Sequence, residues 1–327
     1  AMGGAVDNVI LNNVSKVEAN NYAGGFAGDA GTGSLVEGGG LNLLGLIKID
    51  NLLSLAKGVV LNISNSSVTG TVTGTGTEEN KIGLSVSSTG SNSDGAAEDF
   101  VAGGFIGESK SVVAENCTVN NLKSVKADNT DGYAGGFTGT SASGGLADVA
   151  KDETGLKGIV SINDLLSAAD YLIPEYNNCH VTYVSNAEDA QVQAAVAGGF
   201  VGEMTGGKVN VTKDEEGNET ALAVEDTTAV KNIENVKGTY FAGGFAGLAT
   251  SGGLAETGGL SLLGGTIKLG SVDSLISVLE VYMPVINYAG VSAGENGLVV
   301  SASDKMAAES NEDDSNNEEP NADLISS

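Results

Sequence analysis

The chain has 327 residues, of which 49 are glycine and three are proline, and 41% of its residues are hydrophobic. A collagen would need far more proline and a strict three-residue period, and this apolar content is too high for a mostly disordered chain. Acidic residues number 42 against 15 basic ones, all lysine, so the formal net charge is −27. This charge argues against nucleic-acid binding and against an anionic membrane surface, since both require a basic patch.

The first residues of the chain, Ala-Met-Gly-Gly at positions 1–4, resemble a cloning remnant. We expect the chain to be part of a longer protein. No apolar stretch reaches the roughly 18 to 20 residues that a membrane-spanning helix requires, so we expect no membrane insertion within this part.

One glycine-rich motif recurs five times, with the consensus aromatic-or-Val, Ala, Gly, Gly, Phe, any residue, Gly. The copies are Tyr22–Gly28, Val101–Gly107, Tyr133–Gly139, Val196–Gly202 and Phe241–Gly247. Their first glycines lie 79, 32, 63 and 45 residues apart, so long and short intervals alternate. This alternation predicts a repeating unit that contains a pair of motifs.

The segments between the motif copies favour β-strands, because they are rich in β-branched residues and roughly alternate between apolar and polar. Examples are Val9–Val17, Val112–Val119, Cys179–Val184 and Lys208–Thr212. The shortest interval, about 32 residues, suits one coil of a parallel β-helix. The motif glycines would allow tight turns and close stacking of coils, and Phe26, Phe105, Phe137, Phe200 and Phe245 would form one interior column with a rise of about 4.8 Å per coil. A phosphate-binding loop is a poorer interpretation, because no Lys-Ser/Thr pair follows the motif.

A second signature follows three of the motif copies and predicts short helices. Its copies are Ile49–Ser54, Ile162–Ser167 and Val272–Ser277, and each places Asp, Asn or Ser before an apolar run, where a helix N-cap would stand. The predicted helices cover Leu52–Leu61, Leu165–Ile173 and Leu275–Met283. Two strand spacings are about 9.6 Å, close to the distance between packed helices, so we expect the helices to pack as a ridge on one flank.

The predicted fold is therefore all-β: a right-handed parallel β-helix, or solenoid, over residues 5–302, with short helical insertions packed on one flank. Its handedness follows from the general crossover preference. Residues 303–327 are predicted to be an acidic disordered tail or linker, since seven residues between Glu309 and Asp323 are acidic.

The five motifs resemble those of the GLUG-motif repeat proteins, whose short Gly-Gly-aromatic-or-aliphatic-x-Gly units recur in very large bacterial surface proteins. The resemblance extends by repetition across about residues 8 to 300. It implies a β-helical extracellular stalk or adhesin-like region. The Gly-Leu-Val-Gly core of that family is Gly-Phe-x-Gly in this chain.

The residues with reactive side chains do not assemble into an obvious active site. His180, the only histidine, follows Cys179 directly, and adjacent strand residues point to opposite faces, so we expect a surface histidine rather than a nucleophile pair. Cys117 and Cys179 both occur as Asn-Cys-x-Val and are expected at equivalent positions in successive coils, as free thiols or as a disulfide.

Carboxylates keep two alternatives open. A β-helix lyase or glycosidase would cluster acids with a basic residue on one face, but the acidic residues lie in turn-like runs and the chain has no arginine or tryptophan. The second alternative is a calcium-dependent adhesion module, in which calcium would bind an acidic loop such as Asp214–Asn218, although the spacing of this loop matches no complete calcium motif. The turn-like acidic runs that bear on both alternatives are Glu98-Asp99, Glu188-Asp189, Asp214-Glu216 and Glu225-Asp226.

The sequence thus predicts a non-catalytic extracellular stalk or adhesin-like module of a bacterial cell-surface or secreted protein. We assign no catalytic, cofactor-binding or metal-ligating residue, and calcium is the one cofactor considered. The expected partner is an unidentified surface ligand such as a host protein or a glycan, and no nucleic acid is expected.

Overall fold

The computed structural model describes residues 4–31, 60–73, 80–90, 100–143, 172–185, 190–213, 219–221, 227–251 and 283–303. Within these residues the chain forms 27 strands and no helix, so the predicted all-β class is confirmed there. The predicted helices, and the ridge that they would form, lie almost entirely outside the described residues. The predicted tail also lies outside them, apart from Ser303.

The strands are β1 (Gly4–Asp7), β2 (Ile10–Val14), β3 (Lys16–Ala19), β4 (Tyr22–Gly24), β5 (Ala27–Gly31), β6 (Leu61–Ser64), β7 (Ser67–Thr73), β8 (Asn80–Ser88), β9 (Phe100–Gly103), β10 (Ile106–Lys110), β11 (Val112–Glu115), β12 (Thr118–Ala127), β13 (Gly132–Gly135), β14 (Thr138–Ala142), β15 (Glu175–Asn177), β16 (His180–Tyr183), β17 (Val192–Gly198), β18 (Val201–Thr205), β19 (Lys208–Val209), β20 (Val211–Lys213), β21 (Glu219–Ala221), β22 (Ala229–Ile233), β23 (Asn235–Gly243), β24 (Ala246–Thr250), β25 (Val285–Ile286), β26 (Gly290–Ala293) and β27 (Val299–Ala302).

Three sheets contain all of these strands except the β20–β21 hairpin. Sheet A has the order β24-β18-β14-β10-β5, sheet B has the order β1-β6-β11-β15-β19-β25, and sheet C contains the other strands. The chain passes from sheet B to sheet C to sheet A and then returns to sheet B. We call each such passage a layer: β1–β5, β6–β10, β11–β14, β15–β18, β19–β24 and β25–β27. Strands of neighbouring layers pair in parallel.

The register of these pairs places the motif copies directly beside one another. Gly24 is the register partner of Gly103. The same row continues through the next layers, where Gly103 pairs with Gly135, Gly135 with Gly198 and Gly198 with Gly243. Every motif copy therefore adds one layer, whatever the length of the interval that precedes it. The paired repeat unit predicted from the alternating intervals is wrong, because the long intervals lengthen connections without adding a second layer.

The motif phenylalanines form one continuous column of stacked rings. Successive centroids are 4.6, 4.9, 4.9 and 4.8 Å apart from Phe26 to Phe245, and the interplanar angles do not exceed 18°. The three central rings are completely buried. Tyr176 packs its edge against Phe137 and Phe200 at 5.8 and 5.9 Å. The predicted interior column is confirmed.

The motif glycines are explained by close backbone approach. A Cβ atom on Gly103 would overlap the carbonyl oxygen of Ile106, and one on Gly104 would overlap the carbonyl oxygen of Gly136 in the next layer. The same two overlaps recur in the central copies of the motif. The glycines therefore allow the layers to approach closely, which is the structural role predicted for the motif.

Apolar side chains form three further columns, each running through all six layers. Column 1 contains Val6, Ile63, Ala114, Tyr176, Val209 and Ile286. Column 2 contains Leu11, Val68, Val119, Val181, Val230 and Val291. Column 3 contains Val17, Val86, Val125, Val192, Val236 and Val300. The four inner members of each column are buried, and together with the phenylalanines they form one core.

A ladder of asparagines lies at the turn between sheets B and C. Asn65, Asn116 and Asn178 all have left-handed backbone angles, with φ between 49° and 53°. The Asn178 amide nitrogen donates to the Asn116 side-chain oxygen at 2.7 Å, and Asn65 donates to Asp7 at 2.8 Å. Asparagine tolerates this conformation better than most residues, so it fixes the same turn in successive layers.

Candidate functional site

The outer side of sheet C carries a groove where β17, β23 and β27 lie side by side. Its volume is about 280 Å³. The polar lining residues are Asn129, Gln193, Lys237, Thr239, Ser301 and Ser303. The groove is thus near the lower end of the size range of small-molecule sites and could hold about one small ligand.

A β-bulge in β23 shapes this groove. Ala194 is the partner of Gly238, but Val196 is the partner of Phe241, so the pair Thr239-Tyr240 opposes the single residue Ala195. A bulge bends its strand and re-aims the side chains beside it. Any side chain at position 238 would overlap the carbonyl oxygen of Phe241, so this bend requires glycine there.

The groove offers hydrogen-bonding groups and one cation but no acid. Lys237 is exposed, and Gln193 donates to the side-chain oxygen of Asn129 at 3.3 Å. Lys126 is the register partner of Gln193, and Gln193 is the register partner of Lys237, so the two lysines lie two strands apart in sheet C. The lining residues include Lys237 and the hydroxyl groups of Thr239, Ser301 and Ser303 but no carboxylate, histidine or cysteine that could activate a hydroxyl group, so the arrangement is best suited to binding a polar ligand.

A second polar surface lies on the outer face of sheet A. Asp29, Glu108, Thr140 and Glu203 occupy one register row across four layers. The Lys110 ammonium nitrogen lies 2.8 Å from a carboxylate oxygen of Glu108. Burial lowers the pKa of Lys110, but the hydrogen bond and charge of Glu108 outweigh burial, so that the pKa is raised overall. This face brings acids and a lysine together, as the carbohydrate-enzyme alternative requires.

The two cysteines occupy equivalent positions in neighbouring layers, as predicted. Thr118 is the register partner of His180, and each cysteine stands one residue before its member of this pair, so Cys117 and Cys179 lie at matching positions. Both thiols are free and buried. The Cys179 thiol donates to the carbonyl oxygen of Ala114 at 3.4 Å, and burial raises its pKa well above the ordinary value. These thiols belong to the core, and the disulfide alternative is not realised.

His180 lies on the outer side of β16, as expected for a surface histidine, and is half-buried there. Its Nε2 lies 2.7 Å from the side-chain oxygen of Asn178, while its buried Nδ1 has no hydrogen-bond partner among the described residues. Burial and the charge of Lys231 lower its pKa. Since Cys179 is buried on the opposite side of the chain, the two side chains do not form a nucleophile pair.

All four acidic runs singled out in the sequence lie outside the described residues, including the candidate calcium loop Asp214–Asn218. Among the residues that are described, no three His, Cys, Asp or Glu side chains cluster as a metal site would require. The described part of the chain also contains no helix of the length and apolarity that crossing a bilayer demands.

The groove is the feature that the sequence did not predict. Its only local signal is Gly238 within a strand, and a glycine inside a strand pattern can mark a bulge. Comparison with known proteins adds no further assignment: no family model matches the chain, and neither does any curated protein or solved structure.

Proposed function

We propose that the described strands form a right-handed parallel β-helix. Three observations support this proposal: parallel pairing between layers, the repeated passage from sheet B to C to A, and the side-chain columns that run through every layer. A solenoid explains all three, because each layer buries its apolar side chains only against its neighbours. The short helices predicted between layers belong to this proposal as insertions on one flank.

We further propose that the protein is a non-catalytic extracellular stalk or adhesin-like module of a bacterial cell-surface protein, similar to GLUG-motif repeat regions. The observation that carries this proposal is the column of five stacked phenylalanines. The repeated motif serves this column and the tight backbone contacts around it, so the feature that dominates the sequence acts in stacking rather than in a reaction. The net charge of −27 would keep neighbouring copies soluble.

Antibodies against this chain would test the proposed location. We expect them to label intact cells of the source bacterium as strongly as permeabilised cells. Labelling that appears only after permeabilisation would contradict an extracellular role. An antibody against a cytoplasmic protein provides the control for intact membranes.

A carbohydrate-active enzyme is the second candidate, because Asp29, Glu108 and Lys110 meet on the outer face of sheet A. This candidate predicts release of reducing ends from a polysaccharide panel, and it predicts that Glu108→Gln abolishes the release. The stalk or adhesin role predicts no release by either protein. A Lys16→Gln variant is a matched control, because it removes an exposed lysine–glutamate pair on another sheet.

A further inference from the structure

The last layer among the described residues exposes apolar side chains that are buried at the equivalent positions of the inner layers. Ile286, Val291 and Val300 end columns 1, 2 and 3 and are 39%, 40% and 40% exposed. The four inner members of each column are at most 1% exposed. Val299 and Met283 add further exposed apolar area in the same layer. This end of the described stack is an apolar surface of the kind that marks an interaction site.

The first layer presents the complementary surface. Its members of the same columns are Val6, Leu11 and Val17, which pack on the second layer and are only partly buried. Each column therefore starts with an aliphatic side chain in β1, β2 or β3 and ends with one in β25, β26 or β27. A second copy in the same orientation would continue all three columns across the contact.

The strand edges also match. β1 pairs with only one strand, β6, and β25 pairs with only one strand, β19, so each has an edge without a partner strand among those described. Since both belong to sheet B and all its pairings are parallel, β1 of a second copy could add to β25 in the orientation that the sheet already uses. Among the described strands, sheet A ends at β24 and has no strand in the last layer, so the proposed contact involves sheets B and C.

Charge does not oppose this arrangement at the register rows involved. The row that contains Asp7 ends at Asn287, which follows Ile286, and the row that contains Glu18 ends at Ser301. A second copy would therefore place each of these carboxylates beside a neutral polar side chain rather than beside another carboxylate. The net charge of −27 on each copy still adds a general repulsion, which salt screens.

We propose that the last layer, β25 to β27, binds the first layer, β1 to β3, of a second copy of this chain, head to tail. The inference rests on the proposed β-helix and deepens the stalk role. The six described layers, at about 4.8 Å each, extend the stack by about 29 Å. A head-to-tail contact does not close on itself and would build length by adding copies.

Sedimentation equilibrium of the full chain tests this proposal. The weight-average mass should rise with concentration, and it should rise further when NaCl increases from about 0.05 to about 0.5 M, because salt screens the repulsion. Val291→Lys disables the last layer and Leu11→Lys the first, so each variant alone should remain a monomer. Ile82→Lys makes the same kind of change at an exposed position in the second layer and should associate as the unchanged chain does.

Mixing the variants separates head-to-tail contact from the other geometries. An equimolar mixture of Val291→Lys and Leu11→Lys should reach twice the monomer mass and no more, since one intact pair of surfaces remains. Excess Val291→Lys added to the unchanged chain should shorten its assemblies, and this experiment does not depend on the folding of Leu11→Lys. Self-association of Leu11→Lys alone would indicate a tail-to-tail contact and overturn the proposal.

A chain that stays monomeric up to roughly 1 mM would also overturn the proposal. If such a chain retains its β-sheet circular dichroism and still labels at the cell surface, only the self-association is refuted and the proposed module role stands.

Discussion

Replacing Phe137 by alanine tests how much the phenylalanine column stabilises the fold. Phe137 is completely buried, stacks on two rings at 4.9 Å on either side and touches the edge of Tyr176. Truncating a buried phenylalanine costs about 3 to 5 kcal/mol of unfolding free energy, and each lost ring pair adds about 0.5 to 1.5 kcal/mol. Adding the truncation cost to the loss of the two stacked ring pairs, we expect Phe137→Ala to lower the unfolding free energy by about 4 to 8 kcal/mol.

Phe245→Ala provides the matched control. Its ring ends the column, stacks on Phe200 alone and is only partly buried. We expect about half the loss seen for Phe137→Ala. Urea unfolding followed by circular dichroism measures both, with linear extrapolation to water. Equal losses at the two positions would refute the reasoning, because they would mean that position in the column does not matter.

Three further predictions concern backbone packing and titration. Gly104→Ala should destabilise the fold by several kcal/mol or prevent folding, whereas Gly290→Ala, where a Cβ meets nothing within 4 Å, should change the melting temperature little. Burial raises the pKa of Tyr176 from 10.0 to about 12, so the hydroxyl group loses its proton more easily in the unfolded chain. The unfolding free energy should therefore fall by up to about 3 kcal/mol as pH rises from about 10 to about 12. Tyr176→Phe should remove the contribution of this group to the fall. The pKa of His180 is lowered in the folded chain, so as pH falls the unfolded chain binds a proton at this residue before the folded chain does. The unfolding free energy measured by urea titration should therefore fall as pH drops below 6.5. This fall should be smaller in His180→Gln.

The sequence predicted the phenylalanine column because identical residues become register partners. Phe105 and Phe137 sit at the same position of their motifs, and parallel layers in register bring equal positions together. The same logic predicted the placement of Cys117 beside Cys179. The paired repeat unit failed because interval length carries no information on the number of layers, only on the length of the connections.

The asparagine ladder and the groove show two different limits of sequence reasoning. Asn116 and Asn178 stand immediately before the two cysteines, so the sequence shows that they recur, but it does not show that their side chains are hydrogen-bonded to each other. The groove depends on two residues, Thr239 and Tyr240, opposing one residue of β17. That mismatch arises from pairing between strands far apart in the sequence, so no local pattern could have located it.

A crystal structure at side-chain resolution tests the central claim most directly, through the ring positions of the motif phenylalanines. We expect five rings from Phe26 to Phe245 in a single line, with successive centroids 4.6 to 4.9 Å apart. Rings that are separated by other side chains, or that belong to different cores, would contradict both the parallel stack of layers and the stalk or adhesin role derived from it.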